Sequence, residues 1–166
     1  MMELFEAINL IKNHQKPELA LENIPTNSSL GRILGEDLYS SVSVPQYNNS
    51  AVDGYAIRND DLLENSELNI KHRIVAGDNK NIKLSKGEVA RIFTGAKMPI
   101  NSKTVIMQEN IIIKKKGVIN IIQKPKKGDN CRLKGEDIKK NQIILKAGKK
   151  INQTNISLIS AIGKSK

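Results

Sequence analysis

The sequence has one cysteine, no tryptophan and only 3% aromatic residues in its 166 positions. A single cysteine, Cys131, excludes an intrachain disulfide, and with the distant His14 and His72 it does not give the ligand spacing of a structural zinc site. So few aromatic side chains leave little with which to build the stacking platforms that bind single-stranded nucleic acid. The composition therefore argues against a disulfide framework, a zinc finger and a stacking nucleic-acid module.

Long apolar runs are missing too. No stretch of 18 apolar residues exists to cross a bilayer, and the first residues, which begin Met1-Met2-Glu3, lack the basic start and apolar core of a secretory signal. We therefore expect a cytoplasmic protein that makes no membrane contact.

The sequence is basic, with a formal net charge of +10. Lysine and arginine in excess can contact phosphates or simply solvate a surface. The two lysine clusters, at 114–116 and 124–127, flank a short apolar stretch where solvated hairpin ends explain them. We therefore expect nucleic acid not to be the partner, and a basic nucleic-acid-binding barrel is the weakest of three alternatives.

Hydrophobic periodicity distinguishes helical ends from a β-rich middle. Helical spacing predicts an amphipathic helix over 3–15, a second helix that starts near 27–29 and runs to 38, and a terminal helix capped by Thr154 and stopped by Gly163. Extended chain is expected at 19–24 and 41–44, and an apolar stretch at 142–145. Period-two patterning separated by turn residues predicts strands at 52–57, 69–75, 81–84, 89–93, 104–108, 110–114 and 118–123.

These elements predict an α+β fold. A mixed α/β domain is built from both chain ends, residues 1–49 and 138–166, and is interrupted by a small, barrel-like all-β domain at 50–137. The stretch 48–58 enters that insertion, and its Asp53-Gly54 pair favours a tight turn.

Three polar turns lie next to glycine: Asp53-Gly54, Thr94-Gly95 and Gly135-Glu136-Asp137. Glycine permits close backbone approach, so a ligand could meet main-chain N–H groups as well as the side chain. Toward a phosphate-containing ligand the two Asp carboxylates would act through Mg²⁺ and ordered water, whereas Thr94 could donate directly. Arg132 and Lys134 could supply positive charge. Each turn is also common loop chemistry, so a purely structural role stays open for all three.

Four motifs follow one another in the sequence: Asn49-Ser50-Ala51-Val52-Asp53-Gly54-Tyr55-Ala56, Arg91-Ile92-Phe93-Thr94-Gly95-Ala96, Val105-Ile106-Met107-Gln108-Glu109 and Arg132-Leu133-Lys134-Gly135-Glu136-Asp137-Ile138. In this order they resemble the molybdopterin molybdenumtransferase family, the MoeA type that includes the gephyrin E domain. Val52 departs from the usual Met of that family, and the loop at 97–103 lacks its usual Pro and Gly-Ala-Asp character.

The resemblance implies an enzyme that inserts molybdate into adenylylated molybdopterin with Mg²⁺ assisting and AMP released. It implies a homodimer whose cleft lies between the first two domains of one subunit and the third domain of the other, with a molybdopterin-adenylylating protein as a pathway partner. Because the third and fourth domains are not in this sequence, the chain alone is expected to be an inactive fragment. A non-catalytic dimerisation or interaction module of the same fold is the main alternative.

Carried over position by position, the resemblance implies site residues in three roles. Asp53, Thr94 and Asp137 are the expected catalytic positions, and Ser50, Glu109 and Arg132 the expected cofactor-binding ones. Asp53 and Asp137 would hold Mg²⁺, directly or through water.

Overall fold

The structure is a computed structural model that describes residues 3–14, 20–62 and 67–166, without the side chain of Lys115. Two α-helices and ten β-strands lie within these ranges. The helices are α1 (Leu4–His14) and α2 (Gln153–Ala161); the strands are β1 (Leu38–Tyr39), β2 (Asn49–Ser50), β3 (Gly54–Arg58), β4 (Glu67–Ile74), β5 (Glu88–Ile92), β6 (Ser102–Met107), β7 (Ile111–Ile113), β8 (Val118–Ile121), β9 (Cys131–Arg132) and β10 (Ile143–Leu145).

The middle of the chain forms one curled, six-stranded sheet in the order β6-β3-β5-β4-β8-β7. All neighbours are antiparallel except β4 and β5, which run parallel. The predicted α+β class is thereby confirmed, and the sheet has the form of a half-barrel. Six of the seven predicted strands of this region are present, with ends that differ by a few residues.

The sheet buries side chains on both faces. Tyr55 and Ile57 of β3 point into one apolar cluster with Val89 and Ile106, whereas the intervening Ala56 points into a second. Successive strand residues face opposite sides, so a strand covered on both sides needs an unbroken apolar run. This explains why β3 is buried from its first residue through Ile57.

The segments on either side of the sheet pair with each other over a long antiparallel ribbon. Gly31 N–H donates to the carbonyl of Ile151, and β1 pairs with β10. Further along, Val44 bridges Ile138, and β2 pairs with β9. Segments 31–51 and 130–151 thus stay in nearly constant register, with a register shift between Leu38 and Tyr39.

The predicted second helix at 27–38 is wrong. Thr26–Ser28 form a single 3₁₀ turn, after which Gly31 adopts a positive φ of 78°. The N–H groups of Gly31 and Leu34 then donate to Ile151 and Lys149 across the ribbon, and not to carbonyls one turn back. Cross-strand partners therefore replace the helical hydrogen bonds that the apolar spacing suggested.

The predicted strand at 81–84 is also wrong. Leu84 N–H donates to the Asn101 side-chain oxygen at 3.0 Å, and the Asn101 amide returns a hydrogen bond to the Leu84 carbonyl at 2.6 Å. One side-chain amide thus satisfies the backbone groups that a neighbouring strand would otherwise have paired.

The N-cap of helix α2 lies two residues before the predicted Thr154 cap. Asn152 is the N-cap: its Oδ1 accepts from Asn155 N–H at 2.9 Å, and Asn155 Oδ1 accepts from Asn152 N–H at 3.1 Å. This reciprocal pair satisfies two donors at the start of the helix. Gly163 ends the segment at a φ of 76°, as predicted.

Helix α1 confirms the predicted amphipathic helix but buries none of its residues. Leu4 and Phe5 are 70% and 80% exposed. Neither helix in the described part of the chain is long and apolar enough to cross a membrane.

Candidate functional site

The segment 48–54 passes between two loops that carry the predicted site residues. On one side, Ser50 N–H donates to the Ala96 carbonyl and Gly95 N–H donates to the Ser50 carbonyl. On the other side, Ala51 N–H donates to Asn130. The backbone of this segment therefore places the Thr94 loop and the Arg132–Asp137 loop on its two flanks.

Ser50 itself lies in the interior. It is 1% exposed, and its Oγ donates to the Val52 carbonyl at 2.5 Å. This bond, together with the pairing of Ser50 with Cys131 in the β2–β9 ladder, holds the segment in shape just before Asp53.

Asp53 and Thr94 form a direct pair. Asp53 Oδ1 accepts hydrogen bonds from Thr94 N–H at 2.9 Å and from Thr94 Oγ1 at 2.8 Å. The backbone bond and then the hydroxyl bond lower the pKa of the Asp53 carboxyl, with a further contribution from the charge of Arg91. The other oxygen, Oδ2, accepts no hydrogen bond from the described residues. The carboxylate is therefore exposed, ionised and held by one oxygen only.

Gly54 explains how Asp53 reaches this position. A Cβ at Gly54 would lie 2.0 Å from the Ile106 carbonyl oxygen, so only glycine allows β3 to approach β6 so closely. The Gln108 N–H also donates to the Asp53 carbonyl, at 3.4 Å. Asp53 thus sits at the first bend before the sheet begins.

Arg132, Glu136 and Asp137 form a second cluster. Arg132 Nη2 donates to both Asp137 oxygens, at 2.7 and 2.8 Å, and its Nε donates to Glu136 Oε1 at 2.5 Å. The bonds to Asp137 and Glu136 raise the pKa of the Arg132 guanidinium, and Arg132, followed by the Leu133 N–H, lowers the pKa of Glu136. Both Asp137 oxygens are consequently bonded to a cation.

Glu109 is connected to the Asp53 bend by a series of side-chain hydrogen bonds. Arg91 Nη2 donates to Gln108 Oε1 at 2.6 Å, and Gln108 Nε2 donates to Glu109 Oε1 at 3.2 Å. Arg91 Nη1 also donates to the Gly54 carbonyl at 3.3 Å. Arg91 is therefore the residue that links the Asp53 bend to Glu109. The sequence analysis included Arg91 in a motif but gave it no role, because its contacts depend on the pairing of β3 with β5.

The structure thus brings the predicted site residues together in two groups and leaves them separate. Asp53 contacts Thr94, and Arg132 contacts Asp137, but no hydrogen bond or ion pair joins the two groups among the residues described. Within the same residues, no three His, Cys, Asp or Glu side chains form a ready metal site.

One groove lies elsewhere. It has a volume of about 640 Å³ and runs beside the segments 20–24 and 32–39, with Ile151 and Ile159 on its wall. None of the predicted site residues lines it, so this groove is separate from both groups.

Comparison with known proteins gives one consistent result. Residues 2–163 match the family described as the MoeA N-terminal region (domain I and II). The chain is 33% identical to the molybdopterin molybdenumtransferase of Haemophilus influenzae over 142 residues, which cover 86% of the chain and 35% of that protein. It is 35% identical to the molybdopterin molybdenumtransferase of a Nostoc species over 136 residues, covering 79% of the chain and 31% of that protein.

A solved structure agrees. The molybdopterin biosynthesis MoeA protein of Pyrococcus horikoshii superimposes with a TM-score of 0.91 at 32% identity, over 99% of the chain and 43% of that protein. The chain therefore spans about a third of the length of these curated relatives and somewhat less than half of this structural one.

Proposed function

The chain belongs to the MoeA N-terminal region family, and we propose that it forms the first two domains of a molybdopterin molybdenumtransferase. The reaction proposed for the whole enzyme is insertion of molybdate into adenylylated molybdopterin, with release of AMP. The observation that carries the proposal is the match of residues 2–163 to this family, supported by relatives named for that activity.

Asp53 and Thr94 are the residues that we assign to the reacting groups. The two hydrogen bonds from Thr94 fix the rotation of the Asp53 carboxylate and keep it ionised. The position of the negatively charged Oδ2 is therefore fixed as well. A carboxylate held in this way does not have to reorganise when the substrate arrives. Thr94 Oγ1 can turn its donor toward a substrate oxyanion while the backbone N–H continues to hold Asp53.

Magnesium is the cofactor proposed for this site, and the donors fit it unequally. Asp53 Oδ2 is an oxygen ligand of the type Mg²⁺ prefers and has no donor on it in the described part of the chain. Asp137 can bind Mg²⁺ only if Arg132 gives up its hydrogen bond to one of the two Asp137 oxygens. Mg²⁺ bound through water at Asp53 would neutralise phosphate or molybdate charge.

In this proposal Arg132 and Asp137 fix the orientation of the turn at 133–137. Arg132 holds the turn at 133–137 by its bonds to Glu136 and Asp137, while Lys134 N–H donates to the Asn48 side chain at 2.8 Å. The guanidinium is only partly buried and has other donors to offer a cofactor, since arginine carries five. Ser50 and Glu109 are assigned supporting positions behind Asp53 and Gln108.

The assembly proposed is a cytoplasmic homodimer. The exposed apolar residues of α1, including Leu4 and Phe5, support an interface with further protein. Within each subunit we propose that residues 1–49 and 138–166 form one domain and 50–137 an inserted one, which the bridge between Val44 and Ile138 supports. A molybdopterin-adenylylating protein is the proposed source of substrate.

A chimera tests the function directly. The corresponding region of the Haemophilus influenzae enzyme is replaced by this chain and expressed in a strain that lacks its own molybdenumtransferase. We expect molybdenum-dependent enzyme activity to return, and Asp53→Ala to abolish it because the charge facing the substrate is lost.

The matched control is Glu88→Gln, which removes a half-buried carboxylate that accepts from Ser85 N–H and lies outside both groups of site residues. This variant should retain the restored activity. If Asp53→Ala also retained it, or if the chimera folded and assembled but restored nothing, the assignment would be wrong.

A further inference from the structure

Two arginines pack against the same aromatic ring beside Thr94. The guanidinium carbon of Arg73 lies 4.9 Å from the centre of the Phe93 ring, and that of Arg91 lies 4.8 Å from it. Arg91 also lies 5.0 Å from the centre of the Tyr55 ring. Phe93 directly precedes Thr94, so this stack adjoins the Asp53–Thr94 pair.

The sheet forces the two cations together. Arg73 and Arg91 are paired across β4 and β5, the parallel pair of the sheet. Like charges directly opposite each other in a sheet destabilise it, and cation–π contact with Phe93 offsets only part of that cost. Within the described residues, neither guanidinium forms an ion pair with a carboxylate.

Their hydrogen bonds differ. The Arg91 guanidinium donates to the Gly54 carbonyl and to the Gln108 side chain, whereas the Arg73 guanidinium donates to none of the described residues. Arg73 is exposed and keeps its planar set of donors for a ligand. A doubly charged oxyanion placed here would relieve the repulsion between the two cations.

We propose that Arg73 and Arg91, packed on Phe93, bind a tetrahedral oxyanion of the substrate next to the Asp53–Thr94 pair. This inference rests on the proposed function, in which the oxyanion is either the phosphoryl group of the adenylyl moiety or molybdate. Arg73 makes the direct contact, and Arg91 supplies charge while it holds the Gly54 carbonyl.

The test is a titration of the isotopically labelled chain, followed by the NMR signals of the arginine Nε–H groups. AMP and molybdate are the two anionic probes, and adenosine is the uncharged one. We expect a saturable shift of the Arg73 and Arg91 signals with AMP, molybdate or both, and none with adenosine. A response to AMP alone identifies the phosphoryl group, and a response to molybdate alone identifies molybdate.

Arg73→Gln should weaken that binding about tenfold, the loss of one charge-assisted hydrogen bond. Arg58→Gln is the matched control, because Arg58 lies on the neighbouring β3 and is paired with Asp60; it should leave binding unchanged. No saturable shift with either anion, an equal shift with adenosine, or unchanged affinity in Arg73→Gln would each overturn the site. The Asp53→Ala result in the chimera is independent of these outcomes, so the proposed function could stand while this site fails.

Discussion

The Asp53 and Asp137 loops each present a carboxylate beside a glycine, yet their environments are opposite. Asp53 is held through one oxygen by neutral donors of Thr94, so its charge is undiminished and Oδ2 stays open in the described structure. Asp137 has both oxygens bonded to the Arg132 guanidinium, which neutralises it. Two residues that look equivalent in the sequence therefore differ in what they can offer a cation or an anion.

The difference comes from backbone geometry. Asp53 precedes a glycine that is needed for space, since a Cβ at Gly54 would meet the Ile106 carbonyl. Gly135 is instead needed for conformation, because its φ is 72° and a Cβ there would make no contact closer than 3.4 Å. One loop is thus set by packing against the sheet and the other by a left-handed turn.

The largest expected effect comes from Gly54→Ala. The added methyl group cannot fit against the Ile106 carbonyl, so β3 and β6 must separate, and we expect the free energy of unfolding to fall by about 3 kcal/mol. Urea unfolding measures this. Gly31→Ala, at a positive φ but with nothing within 4 Å of the new Cβ, is the control for a conformational cost alone. Equal losses in both variants would contradict the packing explanation.

Gly135→Ala should cost less, about 1 kcal/mol, because only the left-handed conformation is strained. Asparagine tolerates that conformation better than alanine, so Gly135→Asn should recover part of the loss. At position 54 the order should reverse, with Gly54→Asn worse than Gly54→Ala. The same unfolding measurement on all four variants decides between the two explanations.

The third expected effect concerns pH. The Thr94 bonds lower the pKa of Asp53, so their stabilisation is present above about pH 4, the unfolded value, and is lost as pH falls through the lowered folded value. In Thr94→Val the pKa of Asp53 should return toward its ordinary value, as a carbon-13 NMR titration would show. The stability difference between this variant and the unmodified chain should be larger at pH 6 than at pH 3.

Thr154→Val is the control for that measurement, because Thr154 lies on the exposed first turn of α2, where Asn152 makes the cap. Its effect should not vary between the two pH values. A pKa of Asp53 that is unchanged in Thr94→Val would show that Arg91, and not Thr94, keeps the carboxylate ionised.

The smallest effect is expected from Asp137→Asn. Arg132 and Asp137 are both partly exposed, and ion pairs at a surface contribute little and are screened by salt. The small loss of stability should disappear in about 1 M salt, where the Debye length is about 3 Å. Asp53→Asn should show a loss that salt changes less, since its donors are uncharged. A salt-insensitive loss in Asp137→Asn would mean that Asp137 acts through the turn and not through its charge.

The strands of the sheet were predictable because their side chains alternate. In β4, Leu68, Ile70 and Ile74 alternate with polar residues, whereas β3 is a short unbroken apolar run, and helix α1 follows from its apolar spacing. The prediction of the second helix was wrong because an apolar spacing like that of 30–38 also suits an irregular strand. Nothing in the sequence near 30–38 indicates that this segment pairs with 138–151. Strands β2 and β9, only two residues each, are too short to produce a pattern.

The candidate site was also predictable only in part. The glycine-flanked turns marked Asp53, Thr94 and Asp137 as candidates, and the resemblance to a family placed them together. That Thr94 bonds Asp53 while Arg132 occupies Asp137 follows only from the fold. The Arg73–Phe93–Arg91 stack was out of reach, because it depends on the parallel register of β4 and β5, whose residues are linked by a crossover through 75–87.

The hydrogen bond from Ala51 N–H to the Asn130 carbonyl, at 2.9 Å, has a consequence for protein engineering. The chain leaves the ribbon at Ala51 and returns at Asn130 through two residues that already touch. A two-residue hairpin turn can span such a gap. Deleting residues 52–129 and joining the ends through Asn-Gly should therefore leave the ribbon able to close, and the position should accept foreign domains in place of the sheet.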